Sequence, residues 1–258
     1  MSRSTPGSSA SGSPAGRSAP ASPSRRRRHA ARHRRLALNH HQADLIARPT
    51  LIAARFRQTG GIVEIVRSAH LCPQIVGQLA DALSGAAALV DRVPQRSLTR
   101  PTRCRGWNVL DVVNHLAAVT EKFGRFAAGD PGPVRPLPGD LVGTRPATRF
   151  RQLAEAAARC WQDHPGALTA VCVLPFGSFD GATAAGINLF DALIHQWDIA
   201  AGAGIEHQMS EELAAVAIGV AGLLVTDQAR LAGHYADPVA VLPGAPPSLR
   251  LLAASGRQ

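Results

Sequence analysis

The stretch over residues 184–203 limits the fold more than any other part of the chain. Ile187, Leu189, Phe190, Leu193, Ile194 and Trp197 recur at helical spacing and cover one broad face at about 100° per residue. Gly202 and Gly204 mark its end. A helix this apolar must be covered by other elements, so the chain needs a core with several partners for it. Asp191, His195 and Asp198 interrupt the apolar surface at i, i+4 and i+7, within about 60° of one another and between Ile187 and Ile199. Acidic groups beside a core face are costly unless they are paired or bind a cation.

The partners come from further helical patterns. Ile75, Leu79, Ala82, Leu83, Ala86, Val90 and Val93 share one face, and Pro94 ends that run. A polar linker over 95–106 follows. Asn108 is then a good N-cap, with Asp111 at N3 as a short capping box, for a helix to about Ala128. Gly129, Pro131 and Gly132 stop it, and a Pro/Gly-rich connection leads to a third helix, capped by Thr148 and closed near His164-Pro165. Residues 168–174 are β-prone. After the long fourth helix, Ser210 with Glu211 and Glu212 caps another through about Leu231. A short strand over 238–242 and a last helix over 247–254 complete the expectation. The fold class is therefore all-α: a four-helix bundle with a short C-terminal extension that includes short strands.

The net charge of +10 suggests a nucleic-acid binder until it is divided along the chain. Residues 1–70 hold 13 Arg against only Asp44 and Glu64; residues 71–258 hold 14 Arg and Lys122 against 16 acids. The positive charge belongs to the tail, and the folded part is nearly neutral. Residues 1–35 are rich in Ser, Pro, Gly, Ala and Arg and cannot bury a core. We read residues 1–70 as a disordered or weakly structured basic extension, and removal of residues 1–65 is expected to leave the domain over 71–258 intact. Within it, 45–57 has a weak helical pattern broken by Pro49, and 62–66 fits a short helix or strand. The cluster Arg25–Arg28, His29, Arg32, His33, Arg34 and Arg35 has no interleaved aromatic residue. It lacks a stacking platform for single strands, and nucleic acid is not the expected partner.

No window reaches about 18 uninterrupted apolar residues, and the start has no apolar signal core, so a cytoplasmic protein without a membrane span is expected. Cys72, Cys104, Cys160 and Cys172 form no CxxC pair and fit free thiols better than a disulfide framework. Glycine-rich nucleotide loops, a serine-nucleophile elbow and zinc-finger spacing are absent.

The second helix offers a partner for the Asp191/His195/Asp198 stripe. Val109, Val112, Val113, Leu116, Val119 and Phe123 form its apolar stripe, with His115 at the edge, about 40° from Val119. In an antiparallel bundle such edges face each other, and His115 would complete a His/Asp/His triad with one open coordination position. Spacing alone leaves two readings: a metal triad, or a hydrogen-bonded structural histidine near ordinary surface acids.

Longer motifs bear on that choice. Pro101-Thr102-Arg103-Cys104-Arg105-Gly106-Trp107-Asn108-Val109, continuing through Asp111 to His115, resembles the PTPCxGWxVxDxxxH opening of the mycothiol-dependent maleylpyruvate isomerase-like, DinB-related metal-binding proteins. Pro175-Phe176-Gly177 and Asp191 to His195, with Trp197-Asp198-Ile199-Ala200, resemble its second block. Asp237-Pro238-Val239 to Gly256-Arg257 resembles the closing block of one subgroup. The resemblance spans about residues 71–258 and implies a DinB-like bundle with a divalent metal on His115, Asp191 and His195. Asp191 stands where the isomerases more often have Glu. Trp107 and Trp197 are read as packing residues. Cys104 is open between a soft ligand or reactive thiol and a structural cysteine before the Gly106 turn. Asp111 and Asp198 are open between orienting the two histidines and serving as cap and surface charge.

The resemblance further implies zinc as the default metal, with mycothiol or another small thiol as cofactor. The function expected is a thiol-dependent transferase or isomerase acting on a small electrophile. The alternative is a non-catalytic, stress-linked or regulatory metal-binding protein. About 55 residues follow the fourth helix, short for the separate C-terminal domain of the isomerases, so maleylpyruvate itself is not the expected substrate. Association as a homodimer stays open.

Overall fold

The computed structural model describes residues 51–58, 61–68 and 74–258. Seven helices lie among them: α1 (Ile75–Asp91), α2 (Val109–Ala127), α3 (Pro146–Asp163), α4 (Gly181–Ala203), α5 (Glu211–Leu224), α6 (Asp227–Leu231) and α7 (Pro247–Ala254). The strands are β1 (Leu51–Gln58), β2 (Gly61–Ser68), β3 (Val171–Leu174) and β4 (Gly177–Asp180).

The first four helices form the bundle. α1 and α2 each pack against both α3 and α4, so the order around the core is α1-α3-α2-α4. Phe150, Trp161, Leu79, Leu116, Leu189, Leu193 and Ile194 are fully buried at its centre. Each such aliphatic or Phe side chain contributes roughly 1.5–3 kcal/mol through removal from water. α5 packs on α4 and α7 on α5, so the C-terminal segment wraps back towards the fourth helix. No helix among the described residues is long and apolar enough to cross a membrane.

The caps explain how α2 and α4 are placed. Asn108 accepts from the Asp111 backbone N–H while Asp111 accepts from the Asn108 N–H, the reciprocal box expected from the sequence. Asp180 caps α4 by accepting from the Thr183 N–H, so the helix starts at Gly181, three residues before the expected start, and Gly204 ends it at φ 69°. α4 runs antiparallel to α2, and Gly202 lets them meet: a Cβ there would fall 2.9 Å from the Thr102 and Val109 methyl carbons. Buried Gln196 donates to the Ala82 carbonyl of α1 at 3.1 Å, which fixes the rotation of α4.

Several local expectations are corrected. Thr148 does not cap α3: the helix begins at Pro146, whose fixed φ suits the first turn, and Arg145 makes no side-chain cap bond. The helix after Ser210 stops at Leu224, because Thr226 accepts from the Ala229 N–H and starts the separate α6. Residues 238–242 are not a strand; Val239 donates instead to the Ala253 carbonyl at the end of α7. The β-prone stretch begins inside a 3-10 turn over Pro165–Thr169, and only Val171–Leu174 of it is a strand.

The strands form one sheet in the order β1-β2-β4-β3. β1 pairs antiparallel with β2, β3 pairs antiparallel with β4, and β2 lies parallel to β4 through Ile65↔Ser178 and Val66↔Phe179. Two segments of the expected weakly structured extension are therefore strands, and the helical pattern over 45–57 gives way to β1 from Leu51. The basic cluster and Cys72 lie outside the described residues.

Candidate metal centre

α2 and α4 bring the three singled-out ligand types together. His115 is on the second turn of α2, and Asp191 and His195 are one turn apart on α4. His115 Nε2 lies 3.4 Å from Asp191 Oδ1, and His195 Nε2 lies 3.5 Å from the same oxygen. The imidazole rings meet edge-on with centroids 4.8 Å apart. One ligand atom from each of the three residues lies within 4.8 Å of the other two. Ligands about 2.0–2.1 Å from a tetrahedral zinc ion stand about 3.4 Å apart, so both Asp191–His spacings suit a common ion. Asp191 Oδ2 is buried and has no hydrogen-bond partner. A carboxylate with one shared and one orphaned oxygen, beside two imidazoles, is incomplete by protein contacts alone and fits a cation.

The electrostatics agree with that incompleteness. Burial works against ionisation of Asp191, but His195 and His115 outweigh it and hold its carboxyl well below the usual carboxylate range. Burial also opposes the charged form of His195. The charge of Asp191, then the hydrogen bonds that the ring makes to Asp191, Asp198 and Cys104, reverse this and raise His195 well above its ordinary value. Without a metal, His195 lies between two carboxylates that both favour its charged form.

The Nδ1 side of His195 is built differently. Nδ1 lies 3.0 Å from Asp198 Oδ2 and donates to it. Arg257 grips the same carboxylate with both prongs, Nε to Oδ1 at 2.8 Å and Nη2 to Oδ2 at 2.6 Å. The Cys104 thiol donates to Asp198 Oδ2 at 3.2 Å. Burial opposes the charge of Asp198, but the bonds from His195 and Arg257 prevail and keep it well below the usual range. Asp198 is fully buried, so the surface-charge reading is corrected. Asp111 serves as the α2 capping-box residue.

The surroundings complete the site. Trp107 is 37% exposed, and its ring lies 5.0 Å from that of His115, so it borders the triad rather than filling the core. Trp197 packs against the core as expected. Asn114 accepts from the Leu141 and Val142 N–H groups and ties the connection before α3 alongside α2. Tyr235 stacks edge-on against Phe190, and burial, aided by the charge of Asp191, pushes its phenol up to about 12. Sequence reasoning does not reach the pairing of Arg257 with Asp198. The one available signal was Asp198 beside a core face, which demanded a cationic partner.

A family model described as the mycothiol maleylpyruvate isomerase N-terminal domain matches residues 79–200, from α1 through His115, Asp191, His195 and Asp198. Two Mycobacterium tuberculosis proteins, from strains CDC 1551 / Oshkosh and ATCC 25618 / H37Rv, are each 33% identical over 174 residues. Both are described as uncharacterized, and each alignment covers 66% of this chain and 91% of the relative. No solved structure gives a significant match. With the helical bundle and this match in agreement, the chain belongs to the mycothiol maleylpyruvate isomerase N-terminal domain family and has a DinB-like helical fold.

Proposed function

We propose that His115, Asp191 and His195 hold one divalent cation and that the protein is a thiol-dependent transferase or isomerase acting on a small electrophile. The observation that carries this reading is the unpaired Asp191 Oδ2 beside two imidazole nitrogens that share Asp191 Oδ1. Two neutral imidazoles and one carboxylate leave a divalent ion with a formal charge of about +1 and room for an anionic ligand. Zinc suits this donor set and accepts sulfur, and the matched family model names mycothiol, which makes a small thiol the favoured ligand.

When bound, the cation lowers the pKa of a thiol beside it, so that the thiolate exists at neutral pH. The chain's own residues arrange the rest. His115 and His195 present Nε2 from two helices, and Asp191 supplies negative charge between them. Trp107 provides an apolar wall at the accessible side. Free Cys104, Cys160 and Cys172 fit a reducing, cytosolic setting.

The test is a conjugation screen on zinc-loaded full-length protein, with mycothiol and other small thiols against small electrophiles. Turnover in the wild type and its loss in Asp191→Ala are expected. Stoichiometric metal with no turnover or thiol binding would favour the non-catalytic alternative.

A further inference from the structure

We propose that Asp198 and Arg257 are positioning residues of the metal centre: they hold the His195 ring from its Nδ1 side, so that the last turn of the chain latches the site. This rests on the metal reading above. The geometry begins on α4, where Asp198 is three residues beyond His195 and accepts its Nδ1–H at 3.0 Å. A ring held at Nδ1 has its Nε2 directed at Asp191, and in metal sites such an outer carboxylate fixes both tautomer and orientation.

Asp198 itself needs a cation, because it is fully buried. Arg257 supplies it from 59 residues further along the chain, and is itself only 8% exposed. Its planar fork matches both carboxylate oxygens, which a lysine would not do.

The local backbone explains how Arg257 is aimed. α7 ends in a Schellman turn: the Gly256 N–H donates to the Ala253 carbonyl and the Arg257 N–H to the Leu252 carbonyl. Gly256 has φ +77°, and a Cβ there would lie 2.6–2.8 Å from Ala236 atoms, backbone included. Only glycine passes this point without strain. Arg230 donates to the carbonyls of Ala236 and Ala254, which clips the same loop to the end of α7.

Cys104, His195 and Asp198 also bring ligand atoms within 4.8 Å of one another. A second cation there is disfavoured. The Arg257 guanidinium already occupies both Asp198 oxygens, and the Cys104 thiol and His195 Nδ1–H add to one of them. The carboxylate is saturated, so its role is to orient.

The test uses full-length protein in zinc competition titrations with a chromophoric chelator. Asp198→Asn and Arg257→Met should each lower affinity about 10–100-fold. The double variant should be little worse than the poorer single one, because both act through one ring. Circular dichroism of the zinc-free variants checks folding, and the nearly isosteric Asp198→Asn carries the test alone if Arg257→Met does not fold. Wild-type affinity in a folded variant overturns the proposal. A second readout is independent of metal: in 15N-labelled zinc-free protein, the His195 Nδ1 proton should be protected from exchange in the wild type and lose that protection in Arg257→Met. Equal protection in both overturns the latch. A wild type that binds no zinc would defeat the metal reading, while the proton measurement would still decide the latch.

Discussion

His195 divides two half-sites of opposite character. On its Nδ1 side, Asp198 receives Arg257, the Cys104 thiol and the imidazole N–H, and no oxygen is left unpartnered. On its Nε2 side, Asp191 has one oxygen shared between two histidines at 3.4–3.5 Å and one with no partner. Burial is costly for both carboxylates, yet only one is fully compensated by protein groups. On the proposed metal reading, the saturated half supports and the unsaturated half receives the cation. Composition alone would not separate them, since each is an acid beside the same histidine on the same helix.

The largest effect should come from the receiving half. His115→Ala and His195→Ala should each lose most of the bound metal, while the saturated half of His115→Ala stays intact. Elemental analysis after dialysis against zinc reads the loss, and similar retention in a core-neutral surface variant serves as the reference.

Next comes pH. His195 is raised in the metal-free protein, so its ion-pair contribution is fully present below about pH 6.5 and lost as pH climbs through the raised value. Asp191 and Asp198 are depressed, so theirs is present above about pH 4 and lost as pH falls below it. Metal binding needs the bare Nε2 of His195 and must displace its proton. Apparent affinity should rise with pH by up to about tenfold per unit on the acidic side of the His195 value. Calorimetry in buffers of different ionisation enthalpy should show about one proton released; a value of zero contradicts the protonation assignment.

Smaller effects should mark residues that place the halves or add only one contact among several to one of them. Asn108→Ala removes one side of the α2 capping box and should cost about 1 kcal/mol of stability in denaturant melts. Metal affinity should change little, because α2 remains docked through Val109, Val112 and Leu116. Cys104→Ala should be the mildest at the centre, with affinity within about threefold, because Asp198 keeps both Arg257 prongs and the imidazole N–H. A large fall would mean that Cys104 contacts the metal.

The bundle, and the edge positions of His115, Asp191 and His195 on their helices, are legible because helices repeat locally. The Asn108/Asp111 box, the apolar spacing of α4 and the edge position of His115 all depend on residues within two or three turns of one another. The motif resemblance joined the blocks that spacing could not. What stayed hidden depended on distant partners. The Arg257–Asp198 contact spans 59 residues and depends on how α7 folds back, which no periodicity encodes. The strand expected over 238–242 failed for a related reason: β propensity needs a paired neighbour, and this segment meets the end of a helix instead. The break between Leu224 and Asp227 was missed because the Thr226 cap competes with a helical pattern that otherwise continues.

Closure of α2 and α4 around one cation is decided by the metal stoichiometry of the purified full-length chain reconstituted with zinc. About one ion per chain is expected in the wild type and a small fraction of that in both His115→Ala and His195→Ala. A wild type that retains none, or full retention in both variants, would contradict it.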